Sequence, residues 1–156
     1  MRRTQATDCR MFPFDMAVVF GALLDCENYP RWWPAHLRVR VLKTTPDAVD
    51  SRIEIRPRGG RFICKIAQVV PNREIVIEYV EGVHRGTGRW ALEKLAEGTR
   101  ACYQIDLEPQ GWLPRLLSNW TDFGEMHSRS MAKVFDGLEG WLSARRSSAG
   151  GPQPSG

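Results

Sequence analysis

The chain has 156 residues, of which 42% are hydrophobic and 26% are charged, and its formal net charge is +4. One domain of ordinary size accounts for this length, and such a chain buries enough surface to fold without disulfides or a structural metal. No apolar run approaches the ~20 residues that span a bilayer, and the basic start lacks the apolar core of a secretory signal. We therefore expect a soluble, cytoplasmic, single-domain protein without stable membrane insertion.

The excess of positive charge is confined to the two ends of the chain. Residues 1–10 and 145–156 each carry a net charge of +2, whereas residues 11–144 hold 17 basic and 17 acidic side chains. A nucleic-acid-binding domain concentrates positive charge on one folded face, whereas chain ends are usually loosely ordered. The charge distribution therefore argues against a nucleic-acid partner.

Four cysteines, Cys9, Cys26, Cys64 and Cys102, are widely separated and form neither a CxxC motif nor a zinc-ligand spacing. An even number of cysteines is compatible with a disulfide, but a chain without an export signal usually keeps its thiols reduced. Cys64 and Cys102 lie in strand-like runs, where a free cysteine behaves as a small core residue. We expect reduced thiols and both of these cysteines in the core.

The first predicted elements are an edge strand and a helix. Residues 10–14 form an apolar stretch in which Pro13 is tolerated at a sheet edge. Asp15 can cap a helix over residues 16–24, whose apolar residues share one face. The next segment, residues 27–34, contains two prolines and predicts a short turn or helix packed by aromatic side chains.

Between residues 36 and 109 the hydrophobic period changes to two, which predicts strands with one apolar and one polar face. Tyr103, Ile105 and Leu107, for example, alternate with polar residues. Segments with turn chemistry separate the strands, so the pattern predicts an antiparallel meander. Polar residues within it, such as Glu54, are expected on a solvated face. The predicted strands span residues 36–42, 48–56, 61–70, 73–80, 85–93 and 99–108.

After Pro109 apolar residues recur at steps of three or four, which predicts a long amphipathic helix ending near Arg146. Residues 147–156 are expected to form a disordered tail. Only this helix is long enough to cover the apolar face of the sheet. The predicted fold is therefore α+β, with a curved antiparallel sheet of six to seven strands wrapped around a long C-terminal helix in one domain, residues 1–146. A cavity between the sheet and the helix is the expected place for function.

Five segments carry a family resemblance: residues 19–25, 29–34 (YPRWWP), 70–75 (VPNREI), 86–93 (GTGRWALE) and 98–109. In this order they resemble the START-like, Bet v 1-like or polyketide cyclase superfamily, also called SRPBCC, with its helix-grip fold. The resemblance covers roughly residues 8–144. It implies a cavity but no universal catalytic residue, because the superfamily includes lipid-transfer proteins, plant hormone binders, aromatase/cyclases and a coenzyme Q-binding branch. The fold therefore restricts the function without deciding it.

His127 is the first candidate for chemistry. It lies on the apolar stripe of the last helix between Phe123 and Met131 and should face the sheet, and Gly124 beside it leaves a gap for a ligand. Its imidazole could hydrogen-bond a ligand or shuttle a proton near neutral pH. Alternatively, it is an interior histidine with satisfied hydrogen bonds, an interpretation favoured because the sequence identifies no second titratable partner.

Aromatic side chains supply further candidate ligand contacts. Trp90 follows Gly86 and Gly88 at steps of two, so the glycines leave room for a ring or a chain on the same sheet face. Trp32 and Trp33 are core residues, a gate at the cavity mouth or a partner-binding patch. For any single aromatic residue, simple core packing is the favoured interpretation. The candidate ligand-binding residues are Trp32, Trp33, Tyr79, Trp90, Tyr103, Trp120, Phe123, Gly124 and His127.

Motifs of several enzyme classes are missing from the sequence. There is no GxSxG or HExxH, and glycines 82, 86 and 88 do not form a dinucleotide-binding loop. The three histidines, His36, His84 and His127, fall on separate predicted elements, which disfavours a metal site. We expect neither a metal nor a cofactor.

The leading hypothesis is the binding or carriage of a small hydrophobic molecule, such as a lipid, an isoprenoid quinone or an aromatic or polyketide-like metabolite, in an internal cavity. The alternative is a polyketide cyclase or dehydratase that uses the same cavity, with His127 and a tyrosine or arginine moving protons. A third hypothesis is a regulatory or assembly protein that contacts a partner through Trp32 and Trp33. The sequence leaves open whether a reaction is catalysed and whether the chain is a monomer or a homodimer.

Overall fold

A computed structural model describes residues 3–111 and 120–149, which form one seven-stranded sheet, a long C-terminal helix and shorter helical segments. The strands are all antiparallel and follow the spatial order β1-β7-β6-β5-β4-β3-β2. The strands are β1 (Thr4–Phe12), β2 (Arg40–Lys43), β3 (Arg52–Ile55), β4 (Phe62–Val70), β5 (Glu74–Gly82), β6 (His84–Leu95) and β7 (Gly98–Pro109). The helices are α1 (Met16–Leu24), α2 (Tyr29–Trp32) and α3 (Trp120–Ala149), with 3-10 turns at Cys26–Asn28 and Ala35–Leu37.

The main core lies between the inner face of the sheet and helix α3. Val134 and Leu138 of α3 are almost fully buried, as are Ile75 and Leu107 on the sheet. Thirty residues make α3 about 45 Å long, so it can cover the sheet along much of its length. The predicted α+β helix-grip fold is confirmed.

Two strands have bounds that differ from the prediction, and one helix lacks its predicted cap. Strand β1 begins at Thr4, well before the predicted start at residue 10. Strand β3 is shorter than predicted because Ala48 and Asp50 have positive φ angles of 67° and 68°, which an extended strand cannot accommodate. Helix α1 has its predicted bounds, but the Asp15 carboxylate makes no capping hydrogen bond.

The C-terminal helix continues past its predicted end. It runs to Ala149, so the first three residues of the predicted tail are helical. The rest of that tail, residues 150–156, lies outside the described residues, as do residues 112–119. None of the described helices is long and apolar enough to cross a membrane.

Cys102 is not a free core residue, contrary to the prediction. Its neighbours Ala101 and Tyr103 point into the core, so Cys102 lies on the outer face of β7. There it forms a disulfide with Cys9, its register partner on β1. The expectation of four reduced thiols is therefore wrong for this pair, whereas Cys64 is buried as predicted.

Glu54 is also on the outer face, but its side chain is only 2% exposed rather than solvated. Hydrogen bonds from Arg56 and Arg61, together with the charge of Arg40, lower the pKa of this carboxyl to about 2. The three arginines come from strand β2, from the end of β3 and from the start of β4, and they cover the carboxylate. A buried charge of this kind is stable only when it is paired.

Candidate functional site

A cavity of about 400 Å³ lies between the inner face of the sheet and helix α3. Apolar side chains dominate its surface, with isoleucines from β3, β4 and β5 on one side and Met131 and Val134 of α3 on the other. The lining residues that are exposed to solvent mark its opening: His36, Arg58, Gly59, Met126 and Arg129. The opening therefore lies between the β3–β4 loop, the 3-10 turn at Ala35–Leu37 and α3.

The hydroxyl groups of two tyrosines form a small polar site on the sheet side of the cavity. The hydroxyl groups of Tyr79 on β5 and Tyr103 on β7 are 2.9 Å apart and hydrogen-bonded. Strand β6 separates these strands, and Tyr103 reaches over it at Gly88, where an added Cβ would lie 2.1 Å from the Tyr103 Oη atom. Gly88 therefore makes room for a ring, as the sequence predicted, but that ring is Tyr103 rather than a ligand.

His127 has an acidic neighbour that the sequence did not indicate. Its Nδ1 atom is 3.6 Å from the Asp8 Oδ2 atom, just beyond hydrogen-bond distance, and both atoms are buried without a hydrogen-bond partner among the described residues. Burial lowers the pKa of His127 below its usual value, and the charge of Asp8 opposes this only in part. The imidazole is therefore mainly neutral at pH 7, beside the Tyr103 ring at a centroid distance of 6.0 Å.

A second histidine lies close to the first. His84 at the start of β6 stacks on Phe123 of α3 at 4.2 Å between ring centroids, and Phe123 in turn contacts His127. Burial lowers the pKa of His84, and repulsion from the His127 imidazole, in its protonated form, would lower it further. Two neutral imidazoles and an aromatic ring thus join the start of β6 to the N-terminal part of α3 at the cavity wall.

Two free thiols also line the cavity. Cys26 and Cys64 are buried, and burial raises the pKa of both, that of Cys26 to about 11. Both are therefore protonated at neutral pH and poor nucleophiles. No group of three His, Cys, Asp or Glu side chains in residues 3–111 and 120–149 is arranged to hold a metal ion.

Six of the nine predicted ligand-binding residues lie on the cavity surface, namely Trp33, Tyr79, Trp90, Tyr103, Phe123 and His127. Trp32 does not, because its 6%-exposed side chain packs in the core instead. Gly124 is absent from the cavity lining too, and the space beside its Cα contains no neighbouring atom within 4 Å. Trp120 is the first residue of α3, and its side chain lies outside the described part of the structure.

Sequence reasoning missed Asp8, which lies beside His127, and three residues that line the cavity, for identifiable reasons. Asp8 belongs to the part of β1 that lacks an apolar alternation, so its strand was not predicted. His84 precedes the predicted start of its strand by one residue. Cys26 and Tyr29 come from the irregular segment before β2, where no period indicates which side chains turn inward.

The chain matches a known protein family, and its cavity and the packing of the sheet around α3 are consistent with that match. Residues 12–131 match the family described as "Polyketide cyclase / dehydrase and lipid transport". The chain belongs to this family. The family name covers both catalysis and transport, so membership agrees with a ligand-binding cavity but does not choose between the two functions.

Several solved structures share the fold of this chain at low sequence identity. An aromatase/cyclase from Streptomyces sp. R1128 has a TM-score of 0.75 at 15% identity, with 97% of this chain and 100% of that chain covered. A protein from Thermus thermophilus has a TM-score of 0.76 at 18% identity, with 91% and 99% covered. A START superfamily protein from Mycobacterium smegmatis has a TM-score of 0.72 at 16% identity, with 90% and 97% covered. No curated protein matches the sequence.

Proposed function

We propose that the protein binds or carries a small hydrophobic molecule in the cavity beneath α3. The observation that supports this proposal is the apolar, partly enclosed space of about 400 Å³ in the interior of the fold. A ligand that buries ~300 Å² of apolar surface gains about 7 kcal/mol before the cost of association. The apolar walls alone thus give useful affinity, and the few polar groups select among lipids, isoprenoid quinones and aromatic or polyketide-like metabolites.

A cavity-filling substitution tests this proposal. Ile77 on β5 lines the cavity, whereas its neighbour Val76 lies on the outer face of the same strand. We expect Ile77→Trp to weaken binding of the dye 1-anilinonaphthalene-8-sulfonate at least tenfold, because the indole occupies the ligand's space. Val76→Trp is the matched control and should bind the dye like the wild type, with circular dichroism verifying the fold of both variants.

Two results would contradict the proposal. The first is a wild-type protein that binds neither the dye nor any member of a panel of fatty acids, quinones and flavonoids. The second is equal dye binding by the wild type and a folded Ile77→Trp variant, because the dye would then occupy another surface. Extraction of the purified protein with organic solvent, followed by mass spectrometry, identifies any ligand that is retained from the cell.

A polyketide cyclase or dehydratase activity in the same cavity is the second candidate function. The contact between Asp8 and His127 favours it, because a carboxylate beside Nδ1 orients an imidazole so that Nε2 can accept or donate a proton. On incubation with a synthetic poly-β-ketone, we expect His127→Ala to lose cyclisation above the uncatalysed rate while keeping the fold. Unchanged turnover in this variant would exclude the role of His127.

A further inference from the structure

The paired tyrosines of the cavity have one hydrogen-bond donor left over. Each hydroxyl carries one hydrogen, and a single bond between the Tyr79 and Tyr103 hydroxyls uses only one of the two. No other acceptor bonds to either hydroxyl among the described residues. Both residues are only 6% exposed, so little of either side chain is open to solvent. A water molecule can accept this hydrogen in an unliganded cavity, but in a filled cavity only the ligand can.

The surroundings of the pair exclude a charged partner. Burial raises the pKa of both phenols, so both are neutral at any physiological pH. Of the charged lining residues, Arg58 and Arg129 are exposed at the opening, and Lys65 is paired with Glu78 at 3.1 Å. A carboxylate or phosphate beside the tyrosines would therefore be buried without a counter-charge, which is costly. The remaining hydrogen requires an uncharged acceptor.

Aromatic rings surround this acceptor position. The Trp90 ring lies 4.7 Å from the Tyr103 ring, and the Phe62 ring lies 5.5 Å from the Tyr79 ring, measured between centroids. Trp33 lines the same cavity, and its Nε1 atom is buried without a partner in the described part of the chain. The cavity thus combines flat apolar surfaces with unused donors, and flat rings stack well on such surfaces.

We propose that the Tyr79–Tyr103 pair is a binding subsite for the carbonyl oxygen of a flat, uncharged aromatic ligand. The inference rests on the proposed ligand-binding function and selects among its ligands, favouring aromatic ketones over acyl chains. One tyrosine donates to the other, which in turn donates to the carbonyl, so the two hydroxyls act in series. Such chains of hydrogen bonds strengthen one another in an apolar interior.

Fluorenone and fluorene provide a matched pair of probes, because they differ only in a carbonyl group in place of a methylene group. Equilibrium dialysis measures the Kd of each probe for the wild type and for the Tyr79→Phe/Tyr103→Phe double variant. Removing both hydroxyls leaves no unpaired partner, so the double variant should keep its fold. We expect the ratio of the fluorene Kd to the fluorenone Kd to be about tenfold larger in the wild type than in the double variant.

Tyr29→Phe is the control, because the Tyr29 hydroxyl also belongs to a cavity-lining residue but already donates to the Leu23 carbonyl oxygen. This variant should keep the wild-type ratio. Infrared spectroscopy of fluorenone bound to the wild type gives a measurement that needs no variant. The carbonyl stretch should lie below its frequency in hexane, because a hydrogen bond weakens the C=O bond.

The outcomes separate this inference from the proposed function. If both probes bind but the ratio is the same in wild type and double variant, or the carbonyl stretch equals that in hexane, the subsite is overturned and the ligand-binding function stands. If neither probe binds although 1-anilinonaphthalene-8-sulfonate does, the subsite is likewise overturned. If the wild type binds neither the probes nor the dye nor any member of the panel of fatty acids, quinones and flavonoids, both proposals fail.

Discussion

Replacing Gly137 by alanine should separate α3 from the short helix α2. An added Cβ at this position would lie 2.0 Å from the backbone oxygen of Trp32 and 3.2 Å from its carbonyl carbon. A normal contact between a carbon and an oxygen is at least ~3.2 Å, so one of the two helices must move by about 1 Å. Because the obstructing atom is backbone, no side-chain rotation relieves the contact. Overpacking of this kind costs about 1–3 kcal/mol, and more where the backbone resists.

Gly140 on the same helix provides the matched control. An added Cβ there meets no atom within 4 Å, so Gly140→Ala should only add helix propensity, which stabilises a helix interior by about 1 kcal/mol. Gly137→Ala gains the same propensity but loses the packing with α2. Because the propensity gain is common to both, the two alanine variants should differ in the free energy of unfolding by the overpacking cost of about 1–3 kcal/mol, or in Tm by about 2–12 °C.

Thermal unfolding followed by circular dichroism, together with urea denaturation, measures this difference. The wild type should lie between the two variants in both experiments. Equal stability of Gly137→Ala and Gly140→Ala would refute the close approach of α3 to Trp32. A loss of stability in both variants would instead indicate that the helix tolerates no added methyl group on this side.

Three further predictions concern stability. The Cys9–Cys102 disulfide closes a loop with a sequence separation of 93, so its reduction should lower the free energy of unfolding by about 2–5 kcal/mol. Urea denaturation with and without dithiothreitol tests this prediction, and identical unfolding curves would contradict it. The pKa of Glu54 is about 2 in the folded protein and 4.5 for an ordinary glutamate, so its stabilising effect is complete above pH 4.5 and is lost as the pH falls through 2. The free energy of unfolding should therefore depend more steeply on pH between pH 2 and 5 in the wild type than in Glu54→Gln. Gly88→Ala should cost about 2–4 kcal/mol, because the methyl group overlaps Tyr103 and breaks its hydrogen bond; a variant within about 0.5 kcal/mol of the wild type by urea denaturation would count against this packing.

Much of the sheet was predictable because alternation along a strand directly reports which face a residue occupies. Tyr103, Ile105 and Leu107 point inward as the pattern required, and Trp90 shares its face with Gly88. The same rule, applied to Cys102, gives the outer face because its neighbours point inward, so the expectation of a core cysteine there was wrong on the pattern itself. Its bond to Cys9 was not predictable, because that depends on the register between two strands that lie far apart in the sequence.

The burial of Glu54 shows a second limit of the pattern. Alternation gave the correct face, but the exposure of that face depends on what the neighbouring strands carry. Arginines from β2 and from the start of β4 converge on the carboxylate together with Arg56, and their positions follow from strand order rather than from local sequence. A polar position on an outer face is therefore not necessarily a solvated one.

Trp32 and Trp33 illustrate why the candidate site was only partly predictable. Adjacent residues at the end of a short helix point in different directions, and the docking of that helix decides which one reaches the cavity. Here the close approach of Gly137 to the Trp32 backbone fixes the docking, so Trp33 lines the cavity and Trp32 packs in the core. No local pattern in residues 29–34 contains this information.

The Cys9–Cys102 disulfide between β1 and β7 affects which charged side chain lies beside His127 at the cavity wall. The inward side chains of β1 at residues 6, 8 and 10 are an alanine, an aspartate and an arginine, so within this strand only Phe12, which is fully buried at its end, favours the observed alignment by hydrophobicity over one shifted by two residues. A shift of two would bring Arg10 opposite Tyr103, where Asp8 now lies. By excluding that shift together with Phe12, the disulfide keeps a negative rather than a positive charge beside the imidazole of His127.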